Sequence, residues 1–127
     1  MSEAHVHSTT QAGLTGLIEA VANRYLALDP EGRQRLAERA GRVIGIEIRG
    51  LGLHLFLFPS AEGLTVLGHF EGEPDTWIRG APLALLRLAR APEDKTNLFG
   101  GDVSVEGDTH LAARFSRILG DLDVDWE

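Results

Sequence analysis

With 127 residues, a net charge of −7 and no cysteine, the chain has the length of one domain able to bury its own core. It has no disulfide, thiol nucleophile or thiolate metal site. Its twelve Lys and Arg are scattered among nineteen Asp and Glu, which argues against nucleic acid or an anionic membrane surface as partner, because both demand clustered cations.

Met1 to Gln11 is polar, without the basic start and apolar centre of a secretion signal, and no apolar run reaches the roughly eighteen residues that span a bilayer. A cytoplasmic location is therefore expected. Residues 1–11 read as a disordered tail, and His5 and His7 on it make only a weak metal site. From Leu14 the apolar positions Leu14, Leu17, Ile18, Val21, Tyr25 and Leu28 follow the spacing of a helix with one buried stripe. Asp29 and Pro30 then supply an N-cap and a first helical residue for a second helix, which turns Leu36 and Ala37 inward and ends at Gly41.

Ile44, Ile46 and Ile48 alternate with Gly45, Glu47 and Arg49, the pattern of a strand with one wet face. After the turn Gly50-Leu51-Gly52, the run from Leu53 to Phe58 is apolar at both parities, so this strand is expected to be covered on both faces. Leu64 to Phe70 reads as a third strand. His54 and His69 would face each other across that hairpin in one register, but two histidines without a carboxylate make an incomplete metal site. Beyond Gly72-Glu73-Pro74, a short strand from Asp75 to Arg79 stops at Gly80 and leads into a leucine-rich helix, Ala81 to Ala91. The chain returns as a strand from Asp102 to Glu106. A helix this apolar must lie against the sheet, and any guest is expected beneath it. Asp108 caps a last amphipathic helix carrying Leu111, Phe115, Ile118 and Leu119 inward. The element order predicts an α+β sandwich: a five-stranded sheet, built mostly of consecutive hairpins, with helices over one face.

No catalytic constellation emerges. The paired glycines link strands rather than opening a helix, and no nucleophile elbow surrounds Ser60, Ser104 or Ser116. Glu71, Glu73 and Asp75 read as a solvated acidic loop, since no apolar pocket is evident to raise a carboxyl pKa. What stands out is apolar surplus: Phe56, Phe58, Leu67, Trp77, Leu85, Leu86, Leu88, Leu98, Phe99, Phe115 and Leu119 exceed what a single-layer core obviously needs. They either fill that core or line an apolar hollow for a lipid, and all of them except Leu88 are the candidate lipid-binding residues.

Leu26-Ala27-Leu28-Asp29-Pro30, Gly41-Arg42-Val43-Ile44, Phe70 to Asp75 and above all Leu98-Phe99-Gly100-Gly101-Asp102-Val103-Ser104-Val105-Glu106-Gly107-Asp108, in that order, resemble the sterol-carrier-protein-type lipid-binding domain. Within that superfamily the likeness is to bacterial accessory factors of ubiquinone biosynthesis. It implies five strands covered by helices around a hydrophobic tunnel, with the domain over residues 12–120 and the start of a C-terminal extension at 121–127. It also implies a protein that is not an enzyme and uses no cofactor or metal, holding polyprenylated aromatic intermediates for the modifying enzymes. The partners so implied are those enzymes and a coiled-coil accessory protein, and a homodimer is allowed for. The alternatives are a scaffold that docks biosynthetic enzymes without binding lipid, and a small hydrolase using His54 or His69 with an acid from 71 to 75.

Overall fold

Five strands form one mixed sheet in the order β3-β2-β1-β4-β5. A computed structural model describes the backbone of residues 2–90 and 103–121, and the side chains of residues 13–88 and 103–118. The elements are α1 (Ser2–Ala27), α2 (Pro30–Ala37), β1 (Ile44–Ile48), β2 (Leu53–Ser60), β3 (Gly63–Leu67), β4 (Thr76–Gly80), α3 (Pro82–Arg90), β5 (Val103–Gly107) and α4 (Thr109–Asp121). The α+β class and the strand count agree with expectation. Residues 2–11 belong to α1 rather than to an unstructured tail; no Pro or Gly there interrupts a helical backbone.

The pairing departs from consecutive hairpins at one place. β1, β2 and β3 form an antiparallel meander, but β4 then crosses to the far side of β1 and runs parallel to it, with Ile44 beside Thr76 and Ile48 beside Gly80. The reason lies at the edge of β3, which α1 occupies. The Leu64 amide donates to Asn23 Oδ1 and the Asn23 amide nitrogen donates to the Leu64 carbonyl, both at 2.8 Å, while the Val66 amide donates to Glu19 Oε1 at 2.7 Å. Side chains of a helix thus take the hydrogen bonds that another strand would take, and the edge is closed.

This docking also sets the rotation of α1. Thr15 and Leu26 are buried and Ile18, Ala22 and Tyr25 pack against the core, whereas Leu17, Val21 and Leu28 are 62%, 46% and 78% exposed. The expected apolar stripe is therefore turned partly to solvent. Burying Glu19 and Asn23 against open backbone groups outweighs burying a few aliphatic side chains, because an unpaired peptide group costs more than an exposed leucine.

Strand alternation sends Leu55 and Leu57, Ile44 and Ile46, Ile78, and Val103 and Val105 toward the helices. They meet Leu26, Leu36, Leu88, Leu111, Phe115 and Ile118 in one cluster, with Phe115, Leu36 and Ile44 almost wholly excluded from solvent. Asp29 caps α2 by accepting from the Gly32 amide at 2.9 Å.

One end of the sheet is held by a polar clasp. Asp75 pairs with Val43 through both its backbone amide and its Oδ2, at 2.8 and 2.7 Å. The Arg42 guanidinium lies 3.4 Å from Asp75 and 2.6 Å from Asp108. Asp108 in turn donates its amide to the Asp75 carbonyl and accepts from the Leu111 amide, both at 2.9 Å, so that it caps α4. Gly107 precedes it with φ +84°, and a Cβ there would lie 2.6 Å from the Asp75 carbonyl oxygen. Only glycine accepts that conformation and that approach. The Leu111 amide, and after it Arg42, hold the Asp108 carboxyl below its ordinary 3.8, against the opposing pull of partial burial.

Two outcomes follow from these contacts. Asn23→Ala leaves the Leu64 amide and carbonyl without their partner and should cost about 1–3 kcal/mol in chemical denaturation. Because the folded-state pKa of Asp108 is depressed, its contribution is complete above 3.8 and is lost as pH falls through the lower folded value. Asp108→Asn, which can still cap, should be less stable at neutral pH and should lose less stability than the parent between about pH 5 and about pH 3.

Candidate functional site

The sheet divides the ten candidate lipid-binding residues. In the observed register, Phe56 and Phe58 on β2, Leu67 on β3 and Trp77 on β4 point away from the helices, as do His54, Glu47 and Arg79. Leu85 on α3 and Phe115 on α4 belong to the helix side, where Phe115 is buried at the centre and Leu85 packs against the core. Leu86, also on α3, is 36% exposed. Leu98 and Phe99 lie outside the described residues, as does the side chain of Leu119. A single hollow beneath the helices therefore cannot be lined by the whole set: taking both parities of β2 together joins residues that a pleated strand separates.

The face away from the helices holds an aromatic cluster. Phe70, from the connection between β3 and β4, packs on Phe56 and Phe58 with ring centroids 5.8 and 5.4 Å away, and Phe56 packs edge-on against Trp77 at 5.5 Å. The connection thus supplies the second cover that the two-sided apolar pattern of β2 requires. Gly45 on β1 makes room for Trp77, because a Cβ there would stand 2.7 Å from the indole. Arg79 stacks over the indole, 4.7 Å from its centroid, and is held by Glu106 at 2.7 Å and Glu47 at 3.3 Å. Leu67 completes the patch and is 45% exposed. Sequence reading missed the roles of Gly45 and Phe70. The small residue opposite an aromatic was the available signal, but it becomes informative only once the β1–β4 register is known.

On the helix side, α3 buries Ala84 and Leu88 while leaving Leu83 60% exposed beside Leu86. Its apolar residues therefore exceed the face that the sheet and α4 cover. Hydrocarbon laid on this surface would displace only solvent, as it would on the exposed Leu17 and Val21 of α1.

The histidines do not assemble. The β2–β3 ladder stops at Phe56 and Leu67 before it reaches His54 and His69. His54 lies 3.5 Å from Glu47 and edge-on to Trp77, whereas His69 is exposed and 3.9 Å from Glu71. Asp75 is engaged in the clasp. The described residues contain no group of three or more His, Asp or Glu placed to hold a metal ion. Among them no helix is long and apolar enough to cross a membrane.

A model of the SCP-2 sterol transfer family matches residues 22–120. Two relatives bear the name ubiquinone biosynthesis accessory factor UbiJ. The protein of Salmonella typhimurium is 26% identical over 112 residues and that of Escherichia coli 24%, each match covering 88% of this chain and 56% of the relative. The chain thus spans little more than half the length of these relatives. A solved structure described as UbiJ-SCP2, a ubiquinone synthesis protein, shares the fold with a TM-score of 0.77 at 23% identity, over 90% of this chain and 94% of that one.

The close approach of Trp77 to β1 has a measurable consequence. Gly45→Val should displace the indole, cost about 1–3 kcal/mol through overpacking, and shift tryptophan emission in a Trp126→Phe background.

Proposed function

We propose, for a chain that belongs to the SCP-2 sterol transfer family, a non-catalytic role in ubiquinone biosynthesis: binding the prenyl tail of an aromatic intermediate and leaving its ring accessible to modifying enzymes. The observation that carries this reading is the uncovered apolar surface of α3, where Leu83 and Leu86 stand exposed beside a core already closed by Ala84, Leu88 and Phe115. The name carried by the UbiJ relatives supports the pathway. In this reading the ligand lies against α3, with Leu85 and Leu86 as its contacts, and Phe115 belongs to the closed core behind the helix. Phe56, Phe58, Leu67 and Trp77 form a separate surface on the opposite side of the sheet.

The energetics are sufficient. An isoprenoid unit brings about five carbons, worth up to roughly 4 kcal/mol when buried. Micromolar affinity requires about 8 kcal/mol, so two or three units meet it after an ordering cost of several kcal/mol. A longer tail need not be enclosed by one small domain.

A second reading, a scaffold that docks biosynthetic enzymes, is favoured by one feature, the partly exposed aromatic face with Leu67 at its margin. The two readings separate by experiment. Mass spectrometry of extracts of the purified chain should show a prenylated aromatic lipid, or the chain should take one up when it is supplied. Leu86→Asp, at a part-exposed position that tolerates a charge without unfolding, should abolish that uptake, and unchanged uptake would put the ligand elsewhere. If the parent neither carries nor accepts a prenylated lipid, the carrier reading falls and the scaffold remains.

A further inference from the structure

The outward side of α1 is apolar, although this helix lies at the rim of the fold. Inward it sends Ile18, Ala22, Tyr25 and Leu26 to the core. Outward, Leu17, Val21 and Leu28 are exposed, with Leu28 in the turn just past the helix. Gly13, Gly16 and Ala20 stand among them on that side, small and also exposed. These residues recur at spacings of three and four, so they form one stripe. From Gly13 to Leu28 the stripe carries a single charge, Arg24, since Glu19 is engaged by the Val66 amide. A helix that is apolar on both sides is ordinarily covered on both. Here one side is covered.

A second observation comes from the two glycines. Neither Gly13 nor Gly16 has a positive φ, and among the described residues a Cβ built on either would meet nothing within 4 Å. The conformation and the packing of α1 therefore do not ask for glycine, which weakens any helix that contains it. A missing side chain on an outward face leaves room for a neighbour that comes from another molecule.

The stripe fits a second copy of itself. Two α1 helices paired antiparallel about a two-fold axis between Ala20 and Val21 set Gly13 beside the copy's Leu28, Leu17 beside Arg24 and Ala20 beside Val21. Each large group then meets a small or flexible one. Leu28 enters the hole at Gly13 and Gly16, Val21 lies on Ala20, and Leu17 lies on the aliphatic stem of Arg24. Charge selects the same direction. A parallel pair would set Arg24 against its own copy, whereas the antiparallel pair anchors the two arginines about 10 Å apart along the axis, near the screening length at physiological salt. A lipid surface is a poorer occupant, because helices that lie on membranes flank their apolar face with several cations and this chain has a net charge of −7.

We propose that the outward stripe of α1 is a self-association surface on which two copies of the chain pair antiparallel. A strip about 22 Å long and about 10 Å wide falls short of the roughly 800 Å² per partner of a stable complex. The dimer is therefore a weak one that forms as concentration rises, and each copy keeps its own closed core. The surface lies at the β3 edge, apart from the exposed face of α3, and does not depend on the lipid reading.

The test uses the full chain. Sedimentation velocity from about 1 to about 300 µM should show a monomer–dimer equilibrium, the range in which a weak interface is populated. Leu17→Glu/Val21→Glu should weaken association by roughly tenfold or more, because like charges are brought together in the stripe. Circular dichroism and thermal melting should stay those of the parent, since both side chains already face solvent. Leu51→Glu, exposed to a similar degree in the β1–β2 turn, should change association by less than about twofold. Gly13→Leu fills the hole: it should raise the melting temperature through helix propensity and weaken association, opposite shifts that a purely internal role of the glycine would not produce. Because the chain has no cysteine, single introduced thiols report the direction of pairing. Ala20→Cys, beside the axis, should couple to its copy through a short bis-maleimide, and Ala27→Cys, about 20 Å from its copy, should not. A chain that stays monomeric throughout, association unchanged in Leu17→Glu/Val21→Glu, or equal coupling at both thiols overturns the proposal. So does co-sedimentation of a monomeric chain with phosphatidylcholine vesicles that Leu17→Glu/Val21→Glu abolishes, which assigns the stripe to a lipid surface.

Discussion

The paired contacts between Asp75 and Val43, tied by Arg42 to Asp108, are the constraint on which the architecture depends. They fix where β4 begins beside β1, and through the Asp108 amide and carboxylate they fix where β5 ends and α4 begins. Neither ion pair is deeply buried, so their Coulomb energy alone is modest. Their effect comes from geometry: two carboxylates share one guanidinium while each also binds a backbone amide, so a change at one residue is transmitted to three elements. The rest of the helix layer is placed by this end of the sheet, since α4 carries Phe115 and Ile118 into the core and packs against both α2 and α3.

Much of this was legible in the chain itself. Alternating isoleucines, the Asp-Pro start of α2, the Pro82 start of α3 and the Gly107-Asp108 stop and cap are local signals. They act through backbone conformation within a few residues, and they reappear in place. What was not legible required knowledge of partners distant in sequence. The rotation of α1 is decided by Leu64 and Val66, more than forty positions away. The site residues divided for the same reason. An apolar run read at both parities says that two covers exist, but not that one is helical and the other is Phe70.

The structure thus has two layers of different character on one sheet. The helix layer closes a well-buried core and then leaves α3 with apolar surface to spare. The opposite face is a shallower aromatic layer fixed by stacking and ion pairs around Trp77. A carrier and a scaffold would use different layers, and nothing in the geometry forces a choice of only one. The helix face carries exposed leucines on α3, and the aromatic face is a separate surface on the other side of the sheet.

The parallel pairing of β1 with β4 also bears on the order in which the chain finds its fold. The meander from β1 to β3 closes through turns of a few residues, whereas the Val43–Asp75 contact joins positions 32 apart. Local hairpins form on a microsecond scale, while pairing across a long excursion must first meet a larger loop entropy. A nucleus built from the N-terminal meander, with β4, β5 and the last helix condensing onto it, is the kinetic route this topology favours. On a ribosome the meander would emerge first and wait for its parallel neighbour, with its β1 edge open until the later half of the chain arrives.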